Sequence, residues 1–87
     1  MERIDIEETV KGILESKLYM TKGCIKMKDS LSGDLAADSL DIVDIVIACE
    51  QDFEISISDE EMEGLKDRTV KDLCDIVERH VNAYINN

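Results

Sequence analysis

Ser39 is the residue whose type and position most suggest chemistry, because it stands where an irregular segment meets the longest apolar-periodic run of the chain. A serine nucleophile needs a base, and the only histidine is His80, near the end of the last predicted helix. No glycine-flanked elbow surrounds Ser39. We therefore expect no Ser-His hydrolase, and we interpret His80 as a boundary residue or a cation near a helix C-terminus.

What Ser39 has instead of a catalytic partner is a place at the start of a helix. A hydroxyl there lies near unpaired backbone N–H groups and the positive end of the helix dipole, which would stabilise a phosphate attached to it. Asp38 or Ser39 can equally be a simple N-cap, because both residue types cap helices often. The residues alone leave both interpretations open.

Neither the acidic loop nor the cysteines predict a metal site. Residues 29–34 resemble a calcium-binding loop, but the third and fifth positions lack the oxygen ligands that calcium needs. The three cysteines, Cys24, Cys49 and Cys74, lack the close pairs of a zinc or redox motif. We expect reduced thiols, with Cys49 and Cys74 acting as small core hydrophobes.

The charge of the chain is strongly negative, with 21 acids against 10 lysines and arginines and a net charge of −11 over 87 residues. This balance disfavours binding to nucleic acid or anionic membranes and favours docking to basic protein surfaces, although the acids can also serve only solubility. No apolar run of 18 residues and no signal peptide is recognisable. We expect a soluble, cytoplasmic monomer that does not insert into membranes.

Apolar periodicity predicts one all-α domain over residues 1–87, a four-helix bundle of three main helices and a short third helix. A long loop, from about residue 20 to 37, separates helices 1 and 2, and its spaced apolar residues suggest that it is anchored to the core. The predicted bounds are a first helix from Ile6 with Asp5 as its N-cap, a second from Asp38 or Ser39 to about Phe53, a third from Asp59 to about Leu65 capped by Ser58, and a fourth that starts at Thr69 with Asp72 and carries an apolar stripe from Val70 to Tyr84.

The second predicted helix has two apolar sectors. One sector is assigned to the core, and the other is a separate strip with an acidic border. A bundle could bury the second sector too, but such a strip is also typical of a protein-docking face. The core sector contains Ile42, Ile45, Val46, Cys49 and Phe53, and the second contains Leu40, Val43 and Ile47, bordered by Asp44, Glu50 and Gln51.

The segment Leu35-Ala36-Ala37-Asp38-Ser39-Leu40-Asp41 resembles the Leu-Gly-Ala-Asp-Ser-Leu-Asp signature of the acyl carrier protein family. The resemblance covers nearly the whole chain. Further matches are Ile6, Glu7, Glu8, Val10, Lys11 and Ile13 in the first helix, Val43, Asp44, Val46, Ala48, Glu50 and Phe53 in the second, Ile57, Asp59, Glu60 and Glu61 at the third, and Thr69 and Val70 at the fourth.

This resemblance implies a carrier and not an enzyme. A separate phosphopantetheinyl transferase would use coenzyme A and magnesium to attach a 4′-phosphopantetheine arm to Ser39, between Asp38 and Leu40, as a phosphodiester. Acyl groups would travel on the arm as thioesters between enzymes of fatty-acid or related biosynthesis. The implied partners are the transferase and acyl-transferring and chain-elongating enzymes with basic docking surfaces.

The resemblance also implies two surfaces for the working carrier. One is a docking face for partner enzymes. The other is an acyl pocket between helices. Its residues are also predicted core residues, and they can line a pocket only if the third helix moves easily. The docking face would contain Leu40, Asp41, Val43, Asp44, Ile47 and Glu50, and the acyl pocket Val46, Cys49, Ile57, Met62 and Leu65.

Several residues depart from the family pattern. Ala36 replaces a glycine that tolerates positive φ, and Ser58 replaces a proline. Cys49 replaces a larger aliphatic residue, Gln51 replaces an acid, and the segment Lys66–Arg68 is about two residues longer than usual.

These departures keep a dedicated carrier of a polyketide, amino-acyl or other specialised pathway open as an alternative. A further alternative is an acidic helical adaptor whose second helix binds a basic partner without a prosthetic group.

Overall fold

Four α-helices and one 3₁₀ turn form the computed structural model, which describes the backbone of residues 1–85 and the side chains of residues 1–83. The expected pattern of three main helices, a short third helix and a long loop over residues 18–38 is confirmed. Tyr84, expected at the end of the last apolar stripe, lies outside the described side chains. The helices are α1 Arg3–Lys17, α2 Ser39–Phe53, α3 Asp59–Gly64 and α4 Val70–Ile85, with the 3₁₀ turn at Leu65–Asp67.

Apolar stripes of α1, α2 and α4 meet in one core. Apolar residues recur every three or four positions in each helix, so one side of each helix faces this core. The predicted core sector of α2 is buried, with Phe53 at its edge. Burial raises the pKa of the Cys49 thiol to about 12 and that of Cys74 to about 11, so both are neutral core groups, as expected. The buried helix residues are Ile6, Val10, Ile13 and Leu14 in α1, Ile42, Ile45, Val46 and Cys49 in α2, and Val70, Leu73, Cys74, Val77 and Val81 in α4.

The predicted start of α1 is wrong. Asp5 is not the N-cap, because the helix begins at Arg3 and its N-cap, Glu2, makes no side-chain capping bond. The Glu2 carbonyl accepts hydrogen bonds from the N–H groups of Asp5 and Ile6, at 3.1 and 3.2 Å. The helix is therefore almost one turn longer at this end than the apolar pattern indicates.

Ion pairs of Arg3 account for this extra turn. Its guanidinium lies 2.7 Å from Glu7 within α1, and 2.8 Å from Asp75 and 3.0 Å from Glu78 on α4. Planar guanidinium groups suit several carboxylates at once. The sequence pattern missed this cluster because two of its carboxylates lie more than 70 residues away along the chain.

The long loop is anchored to the core and to the start of α4. Leu31 is fully buried, and its N–H donates to the Arg68 carbonyl at 2.9 Å. The N–H of Val70 donates to the Asp29 carbonyl at 2.9 Å. The expected anchoring of the loop by its apolar residues is thus confirmed. The buried apolar residues of the loop are Ile25, Leu31, Leu35 and Ala37.

The third helix is short and weakly anchored. Ser58 caps it, as predicted, by accepting the Glu61 N–H at 3.2 Å. The helix ends at Gly64, one residue before the predicted end, because the next residues, Leu65–Asp67, form the 3₁₀ turn. No α3 residue is buried, whereas Leu65 of the turn is. Little apolar burial therefore opposes movement of α3.

The start of α4 has the predicted cap. Thr69 and Asp72 bond each other reciprocally: the Thr69 N–H donates to Asp72 Oδ2 at 3.0 Å, and the Asp72 N–H donates to Thr69 Oγ1 at 3.2 Å. Among the described residues, none of the helices is long and apolar enough to cross a membrane.

Candidate functional site

Ser39 is exposed at the first position of α2, directly after the N-cap. The cap is Asp38, whose Oδ1 accepts the Asp41 N–H at 2.9 Å while Asp41 Oδ2 accepts the Asp38 N–H at 3.1 Å. This capping box shows that Asp38, and not Ser39, is the N-cap of α2, a choice that the sequence left open. Within the described part of the chain, the Ser39 hydroxyl makes no hydrogen bond, so capping does not occupy it.

The backbone N–H groups of the first turn of α2 lie next to Ser39 in sequence, and only some of them have acceptors. The Asp41 N–H is used by the cap, and the Ile42 N–H donates to the Asp38 carbonyl at 3.0 Å. The N–H groups of Ser39 and Leu40 have no acceptor within the helix, because the first turn always leaves such groups. The N-terminal end of α2 can therefore stabilise an anion that is bonded to Ser39.

The segment that leads into α2 is held between two buried residues. Leu35 and Ala37 are buried, and their N–H groups donate to the carbonyls of Ser30 and Leu31 at 3.0 and 2.8 Å. Ala36 lies exposed between them with φ of 54°, in the left-handed region. The position where the family has glycine thus still has the conformation that favours glycine.

A cleft of about 230 Å³ opens beside Ser39, between α2 and the segment formed by α3 and the 3₁₀ turn. Of the five predicted acyl-pocket residues, only Met62 lies on this cleft. The other four, Val46, Cys49, Ile57 and Leu65, are buried in the core. The cleft is lined by Ser39, Ile42, Val43, Met62, Glu63 and Lys66.

Sequence reasoning missed three residues of this cleft. Ile42 had a usable signal, since it lies three positions after Ser39 on the same helix. Glu63 and Lys66 had none, because their positions depend on how α3 and the 3₁₀ turn pack against α2.

The second apolar sector of α2 is exposed. Leu40, Val43 and Ile47 are 76, 36 and 45 % exposed, so the bundle does not bury this strip. Asp44 beside it is exposed too. Together these residues form an apolar surface with an acidic border.

The remaining two predicted docking residues also have structural contacts. Asp41 belongs to the capping box of α2, and it is half-buried. Glu50 is half-buried as well, and its Oε2 accepts the Ile57 N–H at 2.8 Å. This bond ties α2 to the connector before α3, a role that sequence reasoning did not assign.

His80 is half-buried beside the core stripe of α4, as expected of a boundary residue. Its Nε2 lies 2.8 Å from Glu61 Oε2, and the Arg79 guanidinium lies 3.2 Å from the same oxygen. Burial would raise the pKa of Glu61, but hydrogen bonds from His80 and Ser58 and the nearby positive charges lower it below 4.5. Over the described residues, no group of three or more metal-ligating side chains comes together to hold a metal ion.

Comparison with known proteins agrees with this fold. The model of the family described as phosphopantetheine attachment site matches residues 8–77. The acyl carrier protein of Coprothermobacter proteolyticus is 40 % identical over 81 residues, which cover 93 % of this chain and 96 % of the relative. That of Buchnera aphidicola is 39 % identical over 77 residues, covering 88 % and 96 %.

A solved structure gives the same result. The crystal structure of the acyl carrier protein from Thermotoga maritima superposes with a TM-score of 0.80 at 31 % identity, over 97 % of this chain and 95 % of that one. The family match over most of the sequence, the whole-length relatives and the shared fold lead to one conclusion: this chain belongs to the acyl carrier protein family.

Proposed function

We propose that Ser39 is the residue through which this single-domain carrier holds its 4′-phosphopantetheine group, as a phosphodiester on Oγ. The observation that carries the proposal is the exposed Ser39 hydroxyl, which Asp38 frees by acting as the cap of α2. A transferring enzyme can reach such a hydroxyl without unfolding the carrier.

The surroundings of Ser39 fit the group. The free N–H groups of Ser39 and Leu40 can donate to the phosphate, and the carboxylates of Asp38 and Asp41 are turned to backbone donors. The cleft beside Ser39 offers room for the part of the arm nearest the protein. When bound, the group supplies a terminal thiol that carries acyl cargo as a thioester.

The function that follows is the carriage of acyl groups between enzymes of fatty-acid or related biosynthesis. The relatives named above share this size and nearly the full length of the chain. The match to a phosphopantetheine attachment family disfavours an adaptor without a prosthetic group.

Partner enzymes would dock on the exposed face of α2. Its apolar centre is Leu40, Val43 and Ile47, and its border includes Asp44. Exposed apolar patches with a polar rim are typical of docking sites. Acids on this face favour the transferase and acyl-transferring or chain-elongating enzymes with basic surfaces.

Acyl cargo would enter the bundle between α2 and α3. Met62 lies on the cleft, and Val46, Cys49, Ile57 and Leu65 lie in the core near these elements. Entry requires α3 to move, which its lack of buried residues permits. Methyl resonances of Val46 and Leu65 should shift when the carrier is acylated, while those of Val10 should not; equal responses would contradict the pocket.

We further propose that the carrier works as a monomer in the cytoplasm. Cys24 is exposed as a free thiol, which suits a reducing compartment. Sedimentation of the reduced holo-protein as a dimer would contradict the monomer.

Loading by a phosphopantetheinyl transferase tests the proposal. Incubation of the apo-protein with the enzyme, magnesium and coenzyme A should add one arm to the intact mass. Ser39→Ala should add none, because the only proposed acceptor oxygen is absent. Ser16→Ala, which removes an exposed hydroxyl from α1, should load like the wild type. An unloaded wild type, or a loaded Ser39→Ala variant, would contradict the assignment.

The same assay tests the docking face. Ile47→Ser should lower kcat/KM for loading about fivefold, the effect of losing about 1 kcal/mol of docking energy. Ile4→Ser makes the matched change at an exposed isoleucine of α1 and should leave loading unchanged. Equal rates for both variants would remove Ile47 from the docking face.

A further inference from the structure

The cleft beside Ser39 contains a positive charge. Lys66 of the 3₁₀ turn lines it together with Ser39. Neither α2 nor α3 contains a lysine or an arginine, so Lys66 is the only cation among the residues that line this cleft. Its segment is also the one that is longer than the family pattern.

Lys66 has no partner among the ion pairs of the described residues. Glu63, three residues earlier, lines the same cleft but does not pair with it. The other lining residues, apart from Ser39, are Ile42, Val43 and Met62, which offer no charge. An ammonium beside an otherwise mostly apolar cleft is available to an anion.

Backbone hydrogen bonds fix the segments that carry Lys66 and Ser39 relative to each other. The Ala37 N–H donates to the Leu31 carbonyl at 2.8 Å, and the Leu31 N–H donates to the Arg68 carbonyl at 2.9 Å. Leu31 is fully buried between them. One buried residue therefore links the position two before Ser39 to the position two after Lys66.

We propose that the Lys66 ammonium binds the phosphate of the group on Ser39 and orders the nearest part of the arm over Ile42 and Val43. This inference rests on the proposed function. The phosphate adds a negative charge next to Asp38 and Asp41, and a cation across the cleft offsets that repulsion. Lysine suits the role because its ammonium is a compact charge on a flexible stem that can follow a single phosphate.

The experiment compares the arm in four holo-proteins. They are the wild type, Lys66→Gln, Lys66→Arg and Lys28→Gln. The last removes an equal charge from an exposed loop lysine that forms no ion pair with the side chains the structure describes. Each is loaded with an isotope-labelled arm, and intact mass confirms one arm per chain. The readouts are the ³¹P resonance of the phosphodiester and the order parameter of the first arm amide.

In the wild type and Lys28→Gln we expect the same ³¹P resonance and an ordered first amide, and Lys66→Arg should keep the first amide ordered because it keeps the positive charge. In Lys66→Gln the ³¹P resonance should move and the order parameter should fall toward the flexible range, below about 0.6. The same values in all four proteins would overturn the inference, as would an equal change in Lys28→Gln, which would be an effect of net charge alone. Failure of the wild type to accept an arm would instead overturn the proposed function itself.

Discussion

At the scale of single residues, Ala36 shows a local cost beside the proposed attachment point. Its φ of 54° is one that alanine adopts at a cost of about 1–2 kcal/mol, whereas glycine adopts it freely. The buried neighbours Leu35 and Ala37, with their backbone hydrogen bonds, hold it there. The fold keeps the backbone shape of the glycine-containing signature although the residue has changed.

We expect Ala36→Gly to raise the free energy of unfolding by about 1 kcal/mol, because relief of this strain outweighs the greater freedom of glycine in the unfolded chain. Ala36 is exposed, so little burial is lost. Urea unfolding followed by circular dichroism measures the change.

The matched control is Gly12→Ala, which makes the reverse substitution at a position where alanine is favoured. Gly12 lies inside α1, and an added Cβ there meets nothing within 4 Å. This variant should gain about 0.5–1 kcal/mol from helix propensity. If Gly12→Ala stabilises the protein and Ala36→Gly does not, the account of strain at Ala36 is wrong.

The sequence predicted where α2 starts and which of its residues form two apolar sectors, but it left open which residue caps the helix and whether the second sector is buried. The start of α2 and its apolar sectors follow from cap chemistry and helical spacing, and the structure has them as expected. Glu50 was predicted only as a docking residue, and Lys66 was not predicted as a site residue. The hydrogen bond of Glu50 with the Ile57 N–H and the place of Lys66 on the Ser39 cleft both depend on how distant segments pack after folding.

At the scale of elements, α3 depends on polar contacts more than on burial. Glu61 connects it to α4 through His80 and Arg79, and to its own cap through Ser58, whose Oγ donates at 3.1 Å. The helix also forms one side of the Ser39 cleft through Met62. Opening of α3 is therefore coupled to the shape of the cleft.

Glu61→Gln should make the amides of α3 exchange with solvent about twofold to fivefold faster at pH 7, the effect of a weak, partly exposed ion pair. Hydrogen exchange measures it. Glu60→Gln changes an exposed acid in the same helical turn and is the control for the helix dipole. Equal exchange in the two variants would show that the contacts to α4 do not hold α3.

The pH dependence follows from the lowered pKa of Glu61. A carboxylate with a lowered pKa in the folded state contributes stability above its ordinary pKa of 4.5, and this is lost as pH falls through the folded value. Protection of α3 in the wild type should therefore decline below pH 4.5, and the decline should be smaller in Glu61→Gln. An equal decline would assign the acid sensitivity to other carboxylates.

The start of α1 and the end of α3 are the two helix boundaries that the sequence predicted wrongly. Both bounds depend on residues distant in sequence or on an extra turn: Arg3 pairs with Asp75 and Glu78, and the chain after Gly64 tightens into a 3₁₀ turn. The spacing of apolar residues indicates neither the ion pairs of Arg3 nor the 3₁₀ turn. The same spacing was enough for α2 and α4, whose caps are local.

At the scale of the whole molecule, the acids lie outside the core and give a net charge of −11. Such a field attracts basic partners over distances near the Debye length, about 8 Å at physiological salt. The exposed strip of α2 then offers apolar contact once a partner is close. The proposed attachment residue, the proposed docking face and the cleft all lie on α2 or border it.

The central claim is that Ser39 carries acyl groups on a phosphopantetheine arm. The most direct measurement is the mass of the protein isolated from its own cells, before and after hydroxylamine, with the modified peptide sequenced. We expect one arm on Ser39 and an acyl group that hydroxylamine releases, and the mass of this group distinguishes fatty-acid cargo from polyketide or amino-acyl cargo. A chain whose Ser39 is unmodified in cells that hold coenzyme A, or an arm on another residue, would contradict it.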